Sequence, residues 1–271
     1  PVPLPGPRLP HDMVFTENFA ILNDFPLHWD EALLAQDKHK LIYREDQPAR
    51  FAVVPRRHAP QTGVRWFEAS PTYVLHWLNA WEEGDELVLH GFHQKTPMPR
   101  AGYDNSGTTL GPERYGPTLY EWRLNLRTGA VAERRLDESY LEFGMINTQY
   151  WGKPYRYSYN MLAHPGSFLF DGVMRYDHTT GASQQYLFGE GRFGSESPMA
   201  PCHDAQSEDD GYVVTFVSDL NTDQSECLVL DARDLAAGPV ARIKLPHRIS
   251  SGTHSCWADA SEIQTDWPGL A

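Results

Sequence analysis

Residues 72–86 read Thr-Tyr-Val-Leu-His-Trp-Leu-Asn-Ala-Trp-Glu-Glu-Gly-Asp-Glu. The apolar run is rich in strand formers, holds one histidine, His76, and stops at an acidic turn containing Gly84. Val88 and Leu89 open a second apolar run directly after that turn, so the stretch reads as a hairpin in a sheet. A histidine in so apolar a strand is either a neutral, hydrogen-bonded core residue or a metal ligand, because an uncompensated charge there is costly. On this stretch alone both readings stand.

The same pattern of short strands recurs on both sides of this stretch. On the N-terminal side, His11–Asn23 alternates loosely and reads as two short strands meeting near Glu17-Asn18, with Pro26 ending the second. Trp29–Lys40 is the one helical patch, with Asp30 as its N-cap and Leu33 and Leu34 as its apolar positions. Strands are expected at Arg50–Pro55, Val64–Ala69, Tyr73–Ala80 and Glu86–Gln94. On the C-terminal side they are expected at Leu119–Asn125, Ala130–Leu136, Tyr155–Met161, Ser167–Tyr176, Ser183–Phe188, Tyr212–Ser218, Glu226–Asp231, Val240–Leu245 and Thr253–Trp257. Prolines and glycines crowd residues 95–117, which read as a long loop of the kind that is usually functional or mobile. Many short strands with almost no helix make the fold all-β: a sandwich, a barrel or a propeller. The turns at 126–129 and 176–181 suggest repeated strand–turn–strand units and favour the propeller, although no strict 40–50-residue repeat is visible.

The chain's 271 residues can bury the core of one large β domain or of two smaller ones. Its 23 Lys+Arg against 36 Asp+Glu give a net charge of −13, which argues against nucleic acid and against broad attachment to anionic lipid. Cys202, Cys227 and Cys256 form no CxxC pair and read as buried thiols in a reducing compartment, the cytoplasm. No apolar run is long enough for a spanning helix. The proline-rich start, residues 1–10, has no secretory signal pattern and reads as a linker inside something longer.

Of the twelve histidines, His28, His39, His58, His178 and His247 sit in polar or turn-rich surroundings and read as solvated. His90 and His93 end a strand, either as structural residues or near a cleft rim; His164 and His203 read as structural. His11, His76 and His254 remain, separated by 65 and 178 residues, far beyond the local spacing of a zinc finger or an HExxH helix. Ligands so distant converge only if successive β units each point a residue at a common axis, as a propeller does. Glu142 and Glu196 lie among apolar neighbours. They are either ordinary surface carboxylates or the groups to which ligand histidines donate their second ring N–H.

These residues carry a resemblance. The segments His11–Asn18, Trp66-Phe67-Glu68, His76–Glu86, Glu142–Asn147, Gly152–Tyr157, Ser195-Glu196, Glu208–Tyr212 and Gly252-Thr253-His254 resemble, in order, motifs of the carotenoid cleavage oxygenase family. That family includes apocarotenoid- and stilbene-cleaving dioxygenases and the retinoid isomerase of the eye. The resemblance implies one domain over 1–271 that is the C-terminal half to two-thirds of a seven-bladed β-propeller, with its N-terminal blades missing and Fe(2+) on the axis. It implies that His11, His76 and His254 are three of four histidine ligands, and that Glu142 and Glu196 orient His76 and His254. The first ligand and the glutamate for His11 would lie upstream. His164, in Ala163-His164-Pro165, looks like the first-ligand motif but falls out of order. Gly144 and Ser255 stand where the family usually has proline and glycine. The implied activity is oxidative cleavage of a C=C bond in a carotenoid or apocarotenoid, with O₂ and an apolar conjugated molecule as substrates. A stilbene or phenylpropene cleaver would share every one of these residues. A propeller that binds a ligand without chemistry is the reading from another class; it requires no metal at His76. A hydrolase is disfavoured by the lack of G-x-S-x-G. Peripheral membrane contact suits an apolar substrate but has no amphipathic basic helix to support it. An incomplete propeller would expose a sheet edge and an apolar axis, so the isolated chain is expected to be poorly soluble or inactive.

Overall fold

A computed structural model describes residues 2–57, 63–95, 97, 116–164, 168–250 and 252–259. Among the described residues there are eighteen strands and almost no helix. The expected turn at Glu17-Asn18 separates β1 (Val14–Phe15) from β2 (Phe19–Asp24). A small hairpin follows, β3 (Leu27–Trp29) against β4 (Leu41–Tyr43). Between them the expected twelve-residue helix shrinks to one turn, α1 (Glu31–Leu34). Asp30 caps it as foreseen, accepting from the Leu33 N–H at 3.1 Å. The pairing of β3 with β4 brings the chain back before a longer helix can form, and Asp37, at φ 59°, turns it.

The remaining strands build four consecutive antiparallel units. The first orders β1, β2, β5 (Ala49–Pro55) and β6 (Arg65–Ala69). The second runs through β7 (Tyr73–Glu83), β8 (Glu86–Gln94), β9 (Thr118–Asn125) and the first part of β10 (Val131–Met145). The third takes the end of β10 with β11 (Tyr157–Ala163), β12 (Phe170–Asp177) and β13 (Ser183–Leu187). In the fourth, β14 (Arg192–Gly194) and β15 (Met199–Pro201) both pair with β16 (Gly211–Asp219), which continues to β17 (Gln224–Asp231) and β18 (Pro239–Lys244). The 15-residue β10 is shared: Val131–Tyr140 pair with β9, and Leu141–Met145 pair with β11. Among the described residues no sheet closes on itself.

Apolar cores lie between successive units. Ile21, Phe51 and Phe67 of the first unit pack with Trp77, Leu89 and Trp122 of the second. Leu78, Phe92 and Leu119 meet Leu141, Met174 and Tyr176. Tyr159, Phe170 and Val173 meet Met199, Val213 and Leu228 of the fourth unit. The middle units are thus covered on both faces, which is why Tyr73–Trp81 are buried without a break and read as one apolar run. Gly84, at φ +60°, makes the tight turn from β7 to β8 where a side chain would be strained. Residues 96 and 98–115 of the expected 95–117 loop, and His58, lie outside the described residues. No helix among the described residues is long and apolar enough to cross a membrane.

Candidate metal centre

The three histidines singled out from the sequence come together. His11 lies in the extended segment before β1, His76 in the middle of β7, and His254 in the stretch after β18. One ring nitrogen from each lies within 4.8 Å of those of the other two. The rings of His11 and His254 each stand edge-on to His76, with centroids 5.1 Å away in both pairs. His76 is buried, whereas the outer two are exposed. Thr253–Trp257 is not the strand expected: Ser255 donates its backbone N–H to the Glu196 carboxylate instead of to a neighbouring strand.

Glu142 and Glu196, both buried, sit behind two of the imidazoles. Glu142 Oε2 lies 2.7 Å from His76 Nδ1 and also accepts the Phe143 N–H at 3.0 Å. An imidazole that donates from Nδ1 presents its Nε2 lone pair, and this atom of His76 is buried with no hydrogen-bond partner. Glu142 is aimed by a bulge: the β10–β11 register shifts between Glu142 and Met145, and Phe143 takes φ 47°. The Phe143 ring then packs 4.3 Å from His76 and 5.3 Å from His254 by centroids. Gly144 is required here, because a Cβ would come within 2.6 Å of both Asn160 Oδ1 and Phe92 Cζ. Glu196 is 3.5 Å from His254 Nδ1. Ser255 holds that glutamate at two points, its N–H on Oε2 at 2.6 Å and its hydroxyl on the Glu196 carbonyl at 2.7 Å.

Charge and burial tune these groups in different directions. Burial, reinforced by the neighbouring His76, lowers the pKa of His11. Burial is also the largest influence on His76 and opposes its protonation. The charge and hydrogen bond of Glu142, with Asp12 and Glu196 behind them, outweigh it and raise the pKa. Burial raises that of Glu196 despite the Ser255 N–H. Three acidic side chains, Glu142, Asp12 and Glu196, thus act together on His76 and favour positive charge at its ring.

Of the other histidines, one keeps its sequence reading and others depart from it. His164 is paired with Asp171 at 2.8 Å and does not join the three, as expected of a structural residue. His28 is not simply solvated, since Arg8 and Gln47 both reach its ring. His178 stacks on His90 with centroids 4.7 Å apart. His90 in turn meets the Tyr155 hydroxyl at 2.7 Å and Glu121 at 3.1 Å. The sequence held one signal for this network, the placing of His90 opposite Glu121 across β8 and β9, but using it requires the strand register. Of the cysteines only Cys227 is buried, and Cys256 is exposed.

Two clefts flank His11. One, of about 270 Å³, is lined by all three histidines with Glu196, Met145 and Trp151. The other, of about 370 Å³, is walled by Leu4, Met13, Leu22, Ala52 and Trp66. No residue of this apolar wall was singled out as a binding residue from the sequence, because apolar residues facing a cleft and facing a core look alike in one dimension.

Residues 1–259 match the family described as RPE65, retinal pigment epithelial membrane protein. The chain belongs to the carotenoid cleavage oxygenase family. It is 34% identical over 279 residues to carotenoid 9,10(9',10')-cleavage dioxygenase 1 of Arabidopsis thaliana, covering 97% of this chain and 51% of that protein. Among solved members of the family, lignostilbene dioxygenase of Pseudomonas brassicacearum superposes with a TM-score of 0.80 at 28% identity, covering 93% of this chain and 55% of the other. Cobalt-substituted apocarotenoid oxygenase of Synechocystis gives 0.83 at 23% identity, over 93% and 53%, and supports the fold alone. The chain spans about half the length of these carotenoid cleavage oxygenases.

Proposed function

We propose that His11, His76 and His254 hold a ferrous ion, and that the chain is part of a dioxygenase cleaving a C=C bond of an apolar conjugated molecule, a carotenoid or apocarotenoid. The observation that carries this reading is the buried, unpartnered Nε2 of His76, aimed into a cleft beside two more imidazoles while its Nδ1 is held by Glu142. His178 Nδ1 is also buried without a partner, but it faces no second and third imidazole, and it is this convergence that sets His76 Nε2 apart. Three neutral nitrogen donors suit a divalent first-row metal and leave it its full positive charge. When bound, ferrous iron supplies the centre at which O₂ is activated for addition across the double bond, giving two carbonyl products.

The chain's own contribution is positional. Glu142 keeps the Nδ1 proton of His76 in place, Glu196 and Ser255 fix the loop carrying His254, and Phe143 excludes water behind both rings. The apolar cleft beside His11 offers a dry path for a hydrocarbon substrate. We further infer that residues 1–271 form one propeller-type domain whose four described units are consecutive blades of seven, the axis passing through the three imidazoles. A stilbene substrate is the second reading, favoured by the likeness to lignostilbene dioxygenase.

Metal analysis tests the site. His76→Ala is expected to remove bound iron, and Glu142→Gln to weaken its binding by about 10- to 100-fold, the usual effect of losing an outer partner. Full iron content in His76→Ala would leave only the non-catalytic binding reading. Product analysis with a β-apocarotenal against a hydroxystilbene separates the two substrates.

A further inference from the structure

Asp12 lies next to His11 but does not touch its ring. Its carboxylate instead joins two backbone segments: Oδ1 accepts the Met13 N–H at 2.7 Å, and Oδ2 accepts the N–H of Trp77 at 2.9 Å. Trp77 directly follows His76 and sits where the β7–β8 register shifts on both sides, so this part of β7 is out of step with its neighbour. A second bridge runs parallel. Asn23 Nδ2 donates to the Asp12 carbonyl at 2.8 Å, while Asn23 Oδ1 accepts from the Trp77 indole N–H at 3.2 Å. The strands β1 and β7 share no ladder. The separation of His11 from His76 is therefore set by side-chain bridges rather than by sheet hydrogen bonds, and of the two bridges to Trp77 only that of Asp12 reaches the main chain beside His76.

We propose that Asp12 is a positioning residue for the metal centre: its carboxylate clamps the segment carrying His11 onto the bulge carrying His76 and fixes the distance between their nitrogens. This rests on the metal reading above. A carboxylate suits the task because it accepts at both oxygens, whereas a carboxamide offers one acceptor and turns an N–H₂ toward the other donor. The contacts also explain why an acidic side chain is spent on main-chain N–H groups beside a site that already holds two glutamates.

The test uses Co²⁺ as the probe, titrated into the purified 271-residue chain and followed by its visible ligand-field absorption, with circular dichroism as the check on folding. Asp12→Asn is expected to stay folded, to bind Co²⁺ about 10- to 100-fold more weakly, and to give a shifted absorption at saturation. Asp12→Ala should go further in the same direction. A folded Asp12→Asn with unchanged affinity and spectrum would overturn the proposal, and so would loss of folding in both variants, which would make Asp12 a scaffold residue. His76→Ala is run alongside. If it keeps the Co²⁺ signal the metal reading itself fails; if it loses the signal while Asp12→Asn keeps it, only the clamp is wrong.

Discussion

His93 illustrates how burial alone can make a side chain respond to pH. It stacks on Tyr120 with centroids 4.5 Å apart, and desolvation pushes its pKa down to about 4 from 6.5. The unfolded chain thus takes up this proton at higher pH than the folded one. The stabilisation is complete above pH 6.5 and is lost as pH falls toward 4, a change on the order of 3 kcal/mol from this residue. His93→Phe should flatten the fall in urea midpoint between pH 7 and pH 4.5; an unchanged fall would assign the effect elsewhere. The same reasoning separates His93 from His76, whose pKa is raised because carboxylates surround it. Both are histidines in apolar strands. Neighbours from distant strands, not local sequence, decide in which direction each proton affinity moves.

At the scale of single elements, the decisive piece is the C-terminal end of β10. Gly144 lets the bulge pass between Phe92, Asn160 and Leu78, all buried. Gly144→Ala overpacks that space and is expected to lower stability by about 1–3 kcal/mol in denaturant titrations. It should also weaken metal binding by shifting Glu142. Wild-type stability and affinity would mean that the neighbours yield freely. Sequence patterning located the strands from β5 to β9 closely, because the apolar runs there end at glycine turns or prolines. It stopped the return strand at Leu136, whereas β10 continues to Met145. The polar run Asp137-Glu138-Ser139 interrupts the pattern, and only the change of partner from β9 to β11 keeps the chain extended through it. His254 joins His11 and His76 but lies on no strand, since its local order comes from Glu196, 58 residues away. Family motifs thus pointed to residues that lie together in the fold, while the contacts that orient them depended on pairing that local patterns do not encode.

For the molecule as a whole, the four units are unequal in cover. The outward face of the fourth carries Tyr212 and Phe216 on β16 and Ile243 on β18, all exposed. Phe216 and Ile243 lie in one cross-strand row on either side of Cys227. A contiguous apolar sheet face of this kind promotes association. Phe216→Lys combined with Ile243→Lys is expected to reduce concentration-dependent scattering of the purified chain without altering its metal content. Equal scattering would place the sticky surface elsewhere. Finally, β10 belongs to two units at once, and this has a consequence for how the protein tolerates insertions and deletions. Residues can be gained or lost at the hairpin tip around Arg127–Gly129 without reaching the imidazoles. A single residue added between Tyr140 and Glu142, however, would reverse the side to which that carboxylate projects and leave His76 without its anchor. Natural variation in chain length should therefore gather at the tips and spare this shared strand.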